Sequence, residues 1–228
     1  EYKKNGTHKY NSKITTSPYA HSFLLTSVLG ADYVDRTNNG PSEDDYGYWV
    51  KFDYSKLTDD YQWRAPYDYT KAQFHQGAAY HTDDDKGSYA YGEKELWYLA
   101  RIETKTHIAI FVTSSNRPDN LEASGENSAI GSTANGDRGV RLEEIRIYEK
   151  NNFSENATPI QTVHFEYESG LNQLCNGAPN SSAGKLTLKS VYFTTLNSER
   201  GKHSKYNFDY AGVDITGTGV NSDEEINP

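Results

Sequence analysis

Three times between Leu96 and Gly212 the chain presents the same pair of segments. A first segment carries Leu-x-x-Ile or Leu-x-x-Val: Leu99 with Ile102, Leu142 with Ile145, Leu188 with Val191. A second alternates bulky residues: Ile108 and Ile110, then Val163, Phe165 and Tyr167, then Tyr206, Phe208 and Tyr210. Alternation at period two is the mark of a strand with one face buried. The leucines step from 99 to 142 to 188, intervals of 43 and 46 residues. Self-similarity at that period points to supersecondary units that bury apolar faces against their neighbours. Three ordinary hairpins side by side in one antiparallel sheet satisfy the same pattern. A propeller blade does not, because it needs four strands per repeat and each unit here has two. The expected fold is mostly β: antiparallel hairpins stacked in a curved sheet or shell, with long irregular loops and little helix.

The hairpins read as Leu96–Val112 with a join near Glu103–Lys105, Arg141–Lys150 with Ile160–Glu168, and Leu186–Leu196 with Lys205–Gly212. Polar excursions at Thr113–Gly139 and Ser169–Gly184 separate them, too long for ordinary hairpin loops. Upstream, residues 1–17 read as an extended arm, and the apolar run Ser22–Leu29 fits a strand or a short helix. Tyr48, Val50, Phe52 and Tyr54 share one face of a strand, after which Ser55–Ser88 reads as an irregular excursion carrying Trp63. The expected division is an irregular and β N-terminal region (1–92), the three-hairpin region (93–212) and an acidic tail (213–228).

Composition narrows the setting. Lys and Arg number 23 against 32 Asp and Glu, a net charge of −9, the wrong sign for nucleic acid or an anionic membrane. Mean hydropathy is −0.87, and no apolar run approaches the roughly 20 residues of a membrane helix. Aromatic residues make up 13%, with 19 Tyr, far from the composition of a disordered chain. Met is absent, even at position 1, and Cys175 stands alone. No intrachain disulfide forms, and a processed or partial piece of a longer polypeptide is expected. Low Cys with abundant Tyr, Asn, Gly and Thr suits a bacterial secreted or cell-surface protein.

The run YLARIETKTHIAIFV, then RLEEIRIYEK with QTVHFEYE, then KLTLKSVYFTT with SKYNFDY, resembles the Rhs/YD-repeat and SpvB/TcaC-like shell proteins. The matching strand ends are Phe165-Glu166-Tyr167 and Phe208-Asp209-Tyr210. More narrowly, it resembles segments of the very large secreted proteins of Bacteroidota. The resemblance covers about Leu96–Gly212 and implies a curved, hollow β-shell that encloses or presents other segments of the same polypeptide. The loops here are longer than the family's, and its Tyr-Asp dipeptides with Gly and Arg are missing. The resemblance implies no catalytic residue.

Among possible sites the sharpest local pattern is Asp35-Arg-Thr37-Asn-Asn39-Gly40-Pro41-Ser-Glu43-Asp44-Asp45. Oxygen ligands at alternate positions followed by Gly let a loop wrap one hard cation. Asp35, Thr37 and Asn39 occupy the first, third and fifth places, Pro41 the carbonyl place, and Glu43 and Asp45 supply late carboxylates, a calcium loop with Tyr46 where Glu is usual. An Asn-Gly turn flanked by solvated acids explains the same residues. His75, His81 and Asp83–Asp85 invite zinc, but the six-residue spacing fits no helical face or known box. Cys175 has no neighbouring cation to lower its pKa, and no Gly-x-Ser-x-Gly elbow is present. Trp49 and Trp97 begin strands and read as core, leaving Trp63 as the aromatic free to stack on a ligand.

These readings converge on a non-catalytic structural or scaffold segment of a large secreted or cell-surface bacterial protein. Its partners would be neighbouring segments of the same polypeptide, and secretion machinery or surface glycans. Neither nucleic acid nor membrane insertion is expected. The alternative is a calcium-dependent carbohydrate-binding or adhesive module, and a hydrolase stands third.

Overall fold

A computed structural model describes residues 14–65, 90–115, 117, 139–154, 156–167 and 186–209. Eight strands make one sheet: β1 (Ser27–Leu29), β2 (Trp49–Ala65), β3 (Ala90–Thr104), β4 (His107–Ser114), β5 (Arg141–Glu149), β6 (Gln161–Tyr167), β7 (Leu188–Thr195) and β8 (Tyr206–Asn207). Each pairs antiparallel with the next, in the order β1 to β8, and the sheet does not close. Single turns of 3-10 helix, Lys150–Asn152 and Arg200–His203, are the helical elements among the described residues. The mostly β, antiparallel expectation holds, and the three hairpins lie side by side in one meander.

Register assigns the faces, because directly opposed residues project the same way. One face is apolar. Phe111, Ile145, Val163 and Phe193 form a row across β4 to β7. Phe52, Ile102, Ala109 and Ile147 form the next row, across β2 to β5. Phe165, Val191 and Tyr206 extend the face across β6 to β8. Every one of these residues is half-buried or exposed.

The spacing of the repeat follows from irregularities in the ladder. Leu99 opposes Tyr54 while Arg101 opposes Asp53, so Ala100 is an extra residue. Leu142 opposes Thr113 while Glu144 opposes Val112, leaving Glu143 extra. Leu188 opposes Tyr167 while Ser190 opposes Glu166, leaving Lys189 extra. In an unbroken strand, residues three apart face opposite ways. One inserted residue, a β-bulge, returns each Leu to the same face as its Ile or Val. All three bulges fall directly after the Leu, on the strand's border with its predecessor.

The opposite face is mixed, and the most buried side chains lie there: Trp49 (1% exposed), Ile108 and Ser190, with Tyr192 and Thr162. Charged residues alternate along its strands and pair within them: Lys51 with Asp53 at 3.6 Å, Arg141 with Glu143 at 2.6 Å, Arg146 with Glu144 at 2.7 Å, and Arg101 with Glu103.

Two segments depart from the sequence reading. Residues 55–65 are strand, continuing β2 against 90–98 of β3, whereas the pattern predicts an irregular excursion there and a next strand beginning at Leu96. Register shifts between Asp53 and Tyr54, Lys56 and Thr58, and Thr58 and Tyr61 break the period of two, so no alternation survives to be read. The ambiguous run Ser22–Leu29 yields strand only at Ser27–Leu29.

Candidate functional site

The acidic segment between β1 and β2 folds as a closed loop. Gly30 N–H donates to Tyr48 O at 2.7 Å, and Val34 bridges Tyr46 antiparallel. Gly47 sits at φ +75°, where a Cβ would stand 2.0 Å from Asp32 O, so the close crossing of the two limbs requires glycine. Asp35 accepts the backbone N–H groups of Thr37 (3.2 Å), Asn38 (2.6 Å) and Gly40 (3.0 Å). Asp45, 3% exposed, accepts Arg36 N–H (2.9 Å), Ser42 N–H (3.0 Å) and the hydroxyls of Tyr33 (3.0 Å) and Ser42 (3.1 Å). The Arg36 N–H leads in holding the Asp45 carboxyl below the ordinary carboxylate value. Burial, with the bond to Asp45, pushes the Tyr33 phenol up to about 12.

Of the expected cation ligands, Asp35 and Asp45 are thus turned toward the loop's own N–H groups. Asn39 Oδ1 accepts from Ser42 Oγ at 3.2 Å, Thr37 bonds toward Asp44, and Pro41 is half-exposed. Glu43 leaves the loop to pair with Lys150, which also meets Glu103 and lies 4.9 Å over the Trp49 ring. Lys105 Nζ donates to Asp45 O at 2.7 Å. Together they tie the loop down onto the sheet. Among the described residues no group of three or more His, Cys, Asp or Glu is placed to hold one ion. The zinc pattern at His75–Asp85 and Cys175 lie outside the described residues.

Trp97 does not take the core role expected of it. Trp63 opposes Gly92 across the β2–β3 ladder and is half-buried; a Cβ on Gly92 would stand 2.9 Å from its Nε1. Trp97 is 41% exposed, with Lys56 5.0 Å over its ring and its Nε1–H donating to Glu95 at 2.9 Å. Trp49 is core, as expected.

A cleft on the mixed face gathers groups that sequence reasoning missed. It is open to solvent, spans about 460 Å³ and is lined by Glu144, His164, Tyr192, Thr194, the turn Leu196–Glu199 and Lys202. Glu144 opposes His164, and His164 opposes Tyr192, so β5, β6 and β7 each contribute one rung. His164 Nδ1 lies 3.1 Å from Glu144 Oε1, and its Nε2 lies 2.8 Å from Thr194 Oγ1. The Glu144 Oε2 atom accepts from Arg146 Nε at 2.7 Å. The imidazole stacks on Tyr192 at 4.5 Å and 10°, which fixes its plane. At the mouth, Ser198 N–H donates to Thr195 O at 3.0 Å and closes a tight turn. That turn places Leu196, 59% exposed, at φ +50°, a conformation bulky residues rarely adopt. Glu144, His164 and Thr194 lie on three strands, 20 and 30 residues apart, so no local motif could announce them.

The molecule is thus an open, two-faced antiparallel meander with a bulged repeat. The chain matches no protein-family model, no curated protein and no solved structure.

Proposed function

We propose that this chain is a structural segment of a large secreted or cell-surface bacterial protein, similar in role to the Rhs-like shells. The observation that supports this reading most is the apolar row Phe111, Ile145, Val163 and Phe193, none of them buried. A contiguous apolar face of that kind marks a surface that packs against something else. In the proposed role its occupant is a neighbouring segment of the same polypeptide. Intact mass of the natural protein, with peptide mapping outward from Glu1 and Pro228, tests the proposal. Further strand-forming sequence on either side supports it; a natural polypeptide of these 228 residues alone overturns it.

A second reading, a carbohydrate-binding or adhesive module, is favoured by one observation, the exposed indole of Trp97. It predicts a saturable change in tryptophan fluorescence on titration with glycans, abolished in Trp97→Ala. A structural segment shows none.

A further inference from the structure

We propose that Thr194, His164 and Glu144 form a nucleophilic relay that hydrolyses small carboxylic esters in the cleft between β5, β6 and β7. The inference goes beyond the structural reading and stands on different residues. A hydroxyl becomes a nucleophile when a base within hydrogen-bond reach takes its proton and a third group orients that base. Here the hydroxyl–base distance is 2.8 Å and the base–carboxylate distance 3.1 Å. The neighbours assign the tautomer: Nδ1–H donates to ionised Glu144, which leaves the Nε2 lone pair facing the Thr194 hydroxyl. Arg146 holds the second carboxylate oxygen at 2.7 Å, and Tyr192 clamps the ring plane at 4.5 Å. Thr194 and His164 both line the 460 Å³ cleft, so a substrate carbonyl has access to the hydroxyl. Asn197, Ser198 and Lys202, the last paired with Glu199 at 3.0 Å, line the same cleft as polar neighbours of the hydroxyl. The strained Leu196 beside them fits the tendency of backbone strain to collect at functional sites.

The step balances with water as the co-reactant. The Thr194 oxygen bonds to the ester carbonyl carbon as its proton passes to His164 Nε2. Collapse of the tetrahedral adduct breaks the bond to the leaving alkoxide, which takes that proton and departs as an alcohol. Water then attacks the acyl-threonine, giving its proton to Nε2. Collapse releases the carboxylic acid, and the proton returns to the threonine oxygen.

The full chain should hydrolyse p-nitrophenyl acetate above the buffer rate, and a fluorophosphonate probe should label Thr194 in a peptide map. Thr194→Val and His164→Gln should each lose at least about 100-fold of the enzymatic rate. Thermal melts of both variants separate loss of the relay from loss of the fold. Turnover and labelling unchanged in a folded Thr194→Val, or none in the wild type, overturns the proposal.

Discussion

Leu142 and Ile145 face the same side of the sheet although three positions separate them, because Glu143 is an extra residue between rungs. The same holds for Leu99 with Ile102 around Ala100, and for Leu188 with Val191 around Lys189. The recurring Leu-x-x-Ile/Val is therefore a bulge signature. It keeps apolar residues on one face through a break in alternation that would otherwise turn one of each pair to the charged face.

Ile145 stands at the centre of the apolar row, opposed by Phe111 and Val163. Ile145→Asp removes the apolar cross-strand contacts to Phe111 and Val163 on a face open to solvent, and should cost about 1 kcal/mol. Urea denaturation checks it, with the midpoint moving to lower denaturant. An unchanged midpoint would sink the packing assigned to this face.

Gly47 and Gly40 both adopt positive φ, at +75° and +80°, but only Gly47 is crowded. At Gly40 an added Cβ meets nothing within 4 Å, so Gly40→Ala should cost only the left-handed backbone penalty, roughly 1 kcal/mol. At Gly47 it meets Asp32 O, so Gly47→Ala should cost more than about 3 kcal/mol. Parallel melts of the two variants read the difference, and equal losses would contradict the loop crossing.

Asp45 carries the loop's acid sensitivity. Its folded carboxyl titrates below its unfolded value, so its contribution is full above the ordinary carboxylate range and disappears as pH falls through the depressed value. Glu166, held down first by its bond from Lys205, acts in the same direction. Melting temperature should therefore fall on acidification, and Asp45→Asn should flatten that part of the curve. A variant with the wild-type acid profile would show that the carboxylate does not anchor the loop.

Calcium should not raise the melting temperature. The oxygens of Asp35 and Asp45 that a calcium loop would offer are bonded to backbone N–H groups and hydroxyls. An ion would compete with those bonds for the same oxygens. A melting temperature that rises with millimolar calcium and returns with chelator would support the ion-binding reading instead.

The paired segments carried the fold because alternation persists through β4 to β7, where Ile145, Val163 and Phe165 repeat on one face. It vanished along residues 55–65, where two register shifts interleave Tyr61 and Trp63 with Lys56, Asp59 and Asp60. The acidic loop was legible as a turn-rich unit, but sequence spacing does not say whether Asp35 and Asp45 point at an ion or at their own backbone. Trp97 was misjudged for a related reason: exposure on a ribbon depends on what lies opposite. Gly92 opposes Trp63 and leaves room for the ring to settle; Lys56 opposes Trp97. The His164 cleft was invisible because register alone assembles it.

Binding of the dye 8-anilinonaphthalene-1-sulfonate to the native chain tests the open apolar face most directly. Strong, saturable fluorescence enhancement is predicted, weakened when Ile145 and Phe193 are both changed to Thr in a chain that keeps its β spectrum. No enhancement below the melting temperature would mean that the face is already covered, and that it is not where a neighbouring segment packs.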